Sequence, residues 1–334
     1  MVSKAAIITG PTGQDGSYLT EFLLEKGYDV KCLIRRCTYP LSSSNLKVNS
    51  EKIQIYEGDI LDQPIIHKMI QDCEDYERVE IYNLAAQSHV GVSFNCPKYT
   101  FEANTLGILN ILETVRQNKN PDKFRVYQAS TSEMFGKVQE IPQKETTPFY
   151  PRSVYGVSKM AAHWLVKNYR ESYGIHASAG ILFNHESPRR GIDFVTKKIV
   201  VALKNIFAGE QEYLELGNMD AKRDWGHAQD YIEAMWMMLQ QENPDDYVVA
   251  TGKTYSVREF VNMCCKQMNK EITWSGEGEN EVGTCEGKVI VRVSKKFYRP
   301  CEVDLLVGDS TKVQNIGWNP KHDIQSLIKD MIDN

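Results

Sequence analysis

Tyr155 and Lys159 stand four residues apart in Tyr155-Gly156-Val157-Ser158-Lys159, a spacing that puts a phenol and an ammonium on one face of a helix. A free tyrosine titrates near pH ~10 and is a poor base at neutral pH; a lysine cation beside it, together with a positively charged nicotinamide, favours the phenolate. Such a pair can take the proton of a secondary alcohol while its carbon gives up hydride. Upstream stands Ser130-Thr131-Ser132-Glu133. Thr131 supplies the hydroxyl that an alcohol oxidation needs on its reacting oxygen. Glu133 is superfluous to that step, and a carboxylate there points to a second proton transfer, such as abstraction α to a newly made ketone. The plainer readings are a Tyr and a Lys on an exposed helix and a Glu that caps a turn. The surrounding elements must choose between them.

Hydride transfer needs a nicotinamide, and the chain start is shaped for a dinucleotide. An apolar strand over 5–9 runs into Gly10-Pro11-Thr12-Gly13-Gln14-Asp15-Gly16 and an amphipathic helix over 15–26. Glycines in this GxxGxxG turn allow close backbone approach to a pyrophosphate, and the helix N-terminus then faces the anion. The strand–turn–helix context makes the triplet more than a common turn. Further strands are expected at 30–34, 53–56, 79–84, 124–129 and 177–183, with helices over 104–117 and 155–173. Their alternation predicts an α/β fold: a Rossmann-type, doubly wound parallel sheet. Ligands in such sheets bind beyond the carboxyl ends of the strands, which is where Ser130–Glu133 falls. Arg35-Arg36 ends the second strand with no adjacent carboxylate, which favours the 2′-phosphate of NADP over the bare ribose of NAD. A solvated basic turn is the alternative. Asp59-Ile60 suits an adenine contact, and Leu84-Ala85-Ala86-Gln87-Ser88 the nicotinamide half.

From about residue 184 the rhythm changes. Helices near 195–207, 230–239, 257–268 and 326–332 are separated by short strands. This predicts residues 1–183 as the dinucleotide-binding part and 184–334 as a smaller mixed α/β substrate cap, with some segments returning. The net charge of −5 over 334 residues leaves no basic footprint for nucleic acid, and no apolar run reaches membrane-spanning length. Eight dispersed cysteines without a CxxC pair read as reduced thiols of a cytoplasmic protein, and no metal site is expected.

Together these residues resemble the extended short-chain dehydrogenase/reductase superfamily. The blocks Gly10–Gly16, Ser130–Gly136, Phe183–Gly191, Leu216–His227 and Tyr298–Asp304 look, more narrowly, like the GDP-mannose 4,6-dehydratase family. That resemblance implies NADP as cofactor, GDP-mannose as substrate and a homo-oligomer, with the polar loop around Ser42-Ser43-Ser44 similar to the segment by which family tetramers reach a neighbour's cofactor. It implies that Tyr155, with Thr131, oxidises C4, that Glu133 removes the C5 proton as water leaves C6, and that hydride returns to C6. Ser132 stands where the glucose-type relatives carry Asp, so the group that protonates the leaving hydroxyl is open: Glu133 alone, or through Ser132 or water. By position, Tyr99, His185 and Arg190 would assist the cofactor along with Lys159. Ser88, Asn184, Lys198, Arg223, Arg299 and Glu302 would hold the sugar nucleotide. Rival readings are a sugar-nucleotide 4-epimerase, which has no use for Glu133, and a non-enzymatic NADP sensor, which has no use for the catalytic set. An added NADPH-dependent reduction of the keto product is chemically feasible.

Overall fold

The computed structural model describes residues 3–37, 40–48, 50–298 and 301–334; Arg299 therefore lies outside the described residues. Six strands come first: β1 (Lys4–Thr9), β2 (Asp29–Ile34), β3 (Ile53–Glu57), β4 (Arg78–Asn83), β5 (Phe124–Thr131) and β6 (Ala177–Leu182). Ala5 and Ile7 enter one apolar layer and Ala6 and Ile8 the other, because a parallel strand is covered on both faces. Helices α1 (Gln14–Glu25), α2 (Gln63–Gln71), α3 (Val90–Asn95), α4 (Pro97–Phe101), α5 (Gly107–Arg116) and α6 (Val154–Tyr173) connect them. The second half adds β7 (Asn184–Glu186), α7 (Val195–Ala208), β8 (Leu214–Leu216), β9 (Lys222–His227), α8 (Ala228–Gln240), β10 (Asp246–Val249), β11 (Thr254–Ser256) and α9 (Val257–Gln267). It ends with β12 (Thr273–Ser275), β13 (Val282–Cys285), β14 (Lys288–Val293), α10 (Thr311–Asn315) and α11 (Ile324–Asp333).

The main sheet has seven parallel strands in the order β10-β6-β5-β4-β1-β2-β3. This is the expected doubly wound sheet, with its switch point between β1 and β4. Two smaller sheets, β11-β9-β7 and β12-β13-β14-β8, lie in the second half around a separate core that includes Leu203, Leu216, Trp225, Phe260 and Leu327.

Two features add to the periodicity reading. Helix α2 was not expected, although Asp62-Gln63-Pro64 is a helix-start signal and Ile66, Met69 and Ile70 recur at helical spacing and are buried. The cap-half segment Asp246–Val249 pairs with β6 as the seventh strand, and α8 covers the main sheet beside α1 through Tyr231, Met235 and Leu239. Its C-terminal carbonyls explain why it docks there. Arg78 donates to Leu239 O at 2.6 Å, and Arg125 to Leu239 O and Gln241 O at 2.6 and 2.8 Å, placing cations at the negative end of the helix dipole.

Under that contact Glu80, fully buried, pairs with Arg78 at 2.8 Å and accepts from Tyr28 and Tyr82 hydroxyls at 3.0 and 2.6 Å. Removing one partner of a buried pair strands the others without water. Glu80→Ala is expected to cost about 3 kcal/mol or more, read as a lower urea midpoint; an unchanged midpoint would show the cluster to be energetically idle.

Candidate active site

The carboxyl ends of β1, β2, β3, β4, β5 and β6 open into a cleft of about 1540 Å³ whose opposite wall comes from the second half of the chain. At its floor, Gly10 takes φ +72°, and a Cβ there would meet Ala85 N at 3.0 Å. A Cβ on Gly16 would lie 2.2 Å from Gly10 O. The turn is therefore closed to side chains, and the bare backbone it presents at the start of α1 is a cradle that a pyrophosphate fits. Thr12, Gly13, Gln14 and Asp15 line the same wall. Thr9 Oγ1 accepts from Leu84 N and Ala85 N at 3.0 Å each, and donates to Asn83 Oδ1 at 2.8 Å. The small Leu84–Ser88 edge is thereby fixed to the turn.

Arg35, Asp59, Ile60 and Tyr99 lie along the cleft at the end of β2 and β3. Arg35 donates to the Tyr99 hydroxyl. Arg36 is exposed and does not line the cleft, because successive residues of extended chain point to opposite sides. The two-arginine expectation narrows to Arg35.

On the β5 side, Thr131 caps a single turn over Ser132–Met134 and accepts from Glu133 N at 3.2 Å. Its hydroxyl also pairs with Tyr155. Ser153 caps α6 by accepting from Gly156 N at 3.0 Å. Gly156 lets that helix approach closely, since a Cβ there would meet Glu133 O at 2.8 Å. Lys159 Nζ donates to Ala129 O at 2.8 Å and lies 6.0 Å from the Tyr155 ring centre. Thr131, Ser132, Glu133, Tyr155 and Lys159 thus share one wall.

Burial pushes the Tyr155 phenol up to about 12, against the Thr131 hydrogen bond, and pushes the Lys159 ammonium down to about 8. The sequence expectation rested on the lysine together with the positive nicotinamide, and in the folded chain the lysine has a backbone partner of its own. Lys159 turns to a backbone carbonyl, so a phenolate at Tyr155 requires positive charge brought in by a ligand. Lys159 also carries a stability cost. Its folded pKa lies below the unfolded value of 10.5, so between about pH 8 and pH 10 the unfolded chain holds the extra proton and stability rises with pH. Lys159→Met is expected to raise the apoprotein melting point by a few degrees at about pH 7, with the gain shrinking toward about pH 10. Thermal unfolding showing a loss at neutral pH would contradict this.

The facing wall carries Asn184, His185, Arg190, Lys198, Arg223 and Glu302. Lys198 donates to Glu215 O at 2.7 Å and sits 3.4 Å above the Phe297 ring. Arg223 Nη2 is 3.6 Å from Glu302 Oε1. Among the described residues no group of three or more His, Cys, Asp or Glu could hold a metal ion, and no helix is long and apolar enough to cross a membrane.

The family model described as GDP-mannose 4,6 dehydratase matches residues 7–331. The chain belongs to the GDP-mannose 4,6-dehydratase family. Its similar relatives include the GDP-mannose 4,6 dehydratases of Homo sapiens, 50% identical over 98% of this chain and 90% of the relative, and of Dictyostelium discoideum, 50% identical over 98% and 95%. The Yersinia enterocolitica enzyme is 49% identical over 98% and 93%. Among solved structures, a Thermus thermophilus UDP-glucose 4-epimerase in complex with NAD superposes with TM-score 0.79 at 25% identity, covering 98% of each chain. Pal from Bacillus thuringiensis superposes at 0.81 with 20% identity, over 99% and 98%; that likeness concerns the fold.

In this family member the cleft and the layer behind its wall, where Asn104 is buried, also contain residues that sequence reasoning did not assign. His89 caps α3, accepting from Val92 N at 3.2 Å, and packs edge-on against Phe194. Trp225, Lys296, Phe297 and Tyr298 line the cap side. Asn104 sits in a wide π turn over Glu102–Leu106. It accepts from Gln87 N at 2.9 Å and donates to Gln87 O and Ser158 Oγ at 3.1 and 3.0 Å. Trp225 and Tyr298 lay within motif blocks; nothing in periodicity marks Phe297 or Asn104, whose partners are distant in sequence.

Proposed function

We propose that this protein is a carbon–oxygen lyase that converts GDP-mannose to GDP-4-keto-6-deoxymannose and water with NADP. Residues 1–183 would bind the cofactor and residues 184–334 mainly the sugar nucleotide. One observation carries the reading: Glu133, unnecessary for oxidation or epimerisation, shares a wall with Thr131, Tyr155 and Lys159 in a cleft large enough for two nucleotides. When bound, the nicotinamide supplies a place for hydride between its removal from C4 and its return to C6.

The chain's own groups do the rest. Tyr155 Oη takes the C4 hydroxyl proton. Thr131 Oγ1 accepts from Glu133 N and pairs with Tyr155, and its hydrogen would turn from the phenol to the reacting oxygen when the sugar is bound. The Glu133 carboxylate removes the C5 proton and delivers it, directly or through Ser132 or water, to the hydroxyl leaving C6. The proton taken at O4 balances the one regained at C5, so the sum is loss of water. Arg223 and Lys198 would bind the pyrophosphate, with Asn184 and Ser88 at the sugar and Glu302 at the nucleoside.

Arg35 supports NADP over NAD. Arg35→Ala is expected to weaken NADP⁺ binding by about tenfold or more with little change for NAD⁺, while Arg36→Ala changes neither appreciably. Equal loss for both cofactors in titrations would return Arg35 to a structural role. Eight dispersed cysteines without a CxxC pair suit a cytoplasmic protein, and a homo-oligomer is the expected assembly. Mass spectrometry of products from GDP-mannose tests the whole reading. A product lighter by one water supports it; an isobaric hexose would favour the epimerase reading instead.

A further inference from the structure

Asp15 lies in the first turn of α1 and lines the cleft. A carboxylate there opposes the phosphates that such a turn is suited to take. Its counter-ion comes from 170 residues away: His185 Nε2 lies 2.9 Å from Asp15 Oδ2. On the other side of the ring, Nδ1 lies 2.7 Å from the Phe183 carbonyl. Both neighbours are acceptors, so both ring nitrogens carry hydrogen and the ring is an imidazolium. Burial works against the Asp15 charge, yet the His185 charge and hydrogen bond, with Gln14, hold its carboxyl down to about 2.

The ring's orientation is set by stacking on Tyr231, with centroids 4.6 Å apart and planes 18° from parallel. Gln14 Nε2 bridges Asp15 Oδ1 and the His185 carbonyl at 2.9 and 3.0 Å, while Gln14 Oε1 accepts from Ser187 Oγ at 2.9 Å. The neighbouring cations have their own carboxylates. Arg190 Nε is 3.0 Å from Glu186 Oε2, and Arg189 Nη2 is 2.9 Å from Glu21 Oε1. His185 is the cation in contact with Asp15.

On the nicotinamide-dinucleotide reading above, we propose that His185 is a positioning residue whose fixed positive charge cancels Asp15, so that the glycine turn offers the pyrophosphate a neutral face of N–H donors. The same contact ties the turn to the 184–189 segment that leads into the cap. Without His185 the Asp15 carboxylate would lose the cation in contact with it, keeping only the weaker field of Arg190, and would face a doubly negative pyrophosphate. Without both side-chain charges the turn would carry no such charge. A role in packing alone predicts the reverse order, with the double variant at least as impaired as the single.

Calorimetric titration of the apoprotein with NADP⁺ separates the two, with the melting point of each variant recorded alongside. His185→Gln is expected to weaken binding about tenfold or more. Asp15→Asn/His185→Gln should recover to within about threefold of the unaltered protein, and Asp15→Asn alone should bind no more weakly than it. A double variant as weak as His185→Gln, or a tenfold loss in Asp15→Asn, would overturn the assignment. If His185→Gln does not fold, the other two variants decide by the same criteria. An unaltered protein that binds neither NADP⁺ nor NAD⁺ removes the cofactor reading and this role with it, whereas normal binding beside an unrescued double variant removes only the role.

Discussion

Glu133→Gln is expected to bind NADP⁺ and GDP-mannose almost normally while losing water elimination by about 10³-fold or more. The amide keeps the size and hydrogen-bonding capacity of the carboxylate but cannot hold a proton taken from C5. Oxidation at C4 does not use this group, so single-turnover experiments should still show hydride leaving the sugar, with no dehydrated product following. The backbone N–H of Glu133 and its bond to Thr131 are untouched, so the C4 machinery stays assembled. Near-normal dehydration by this variant would remove Glu133 from the chemistry and leave the cleft as that of an oxidoreductase or epimerase.

Tyr155→Phe should fail one step earlier, again by about 10³-fold or more in turnover. Without the phenol nothing takes the C4 hydroxyl proton, no ketone forms, and the C5 hydrogen keeps its ordinary, very weak acidity. The discriminating measurement is solvent deuterium at C5. Glu133→Gln and Tyr155→Phe should both lack it, but only Glu133→Gln should show C4 oxidation. Exchange at C5 in Tyr155→Phe would contradict the division of labour between the two residues. With the unaltered protein, deuterium placed at C4 should arrive at C6, since the same hydride leaves and returns.

The strand–helix alternation of the first half was legible because a buried parallel strand must be apolar on both faces and each helix must show one apolar stripe. Ala5-Ala6-Ile7-Ile8 and the Tyr18, Leu19 and Leu23 face of α1 satisfy those demands locally. Helix α2 escaped because its apolar repeat is only nine residues long. Asp246–Val249 could be seen as a short strand, but its place in the main sheet depends on β6 and on Arg170, which donates to Asp246, neither of them near it in sequence.

Residue types and short spacings were enough to determine that this chain carries a glycine turn, a phenol–ammonium pair on one helix face and a carboxylate after the fifth strand, because each of these is set within a few residues of backbone. Only the folded chain decided which charges meet. It turned Lys159 to the Ala129 carbonyl, selected Arg35 over Arg36, and brought His185 to Asp15. Such pairings depend on burial and on approach between segments far apart along the chain, and local periodicity holds no information about either.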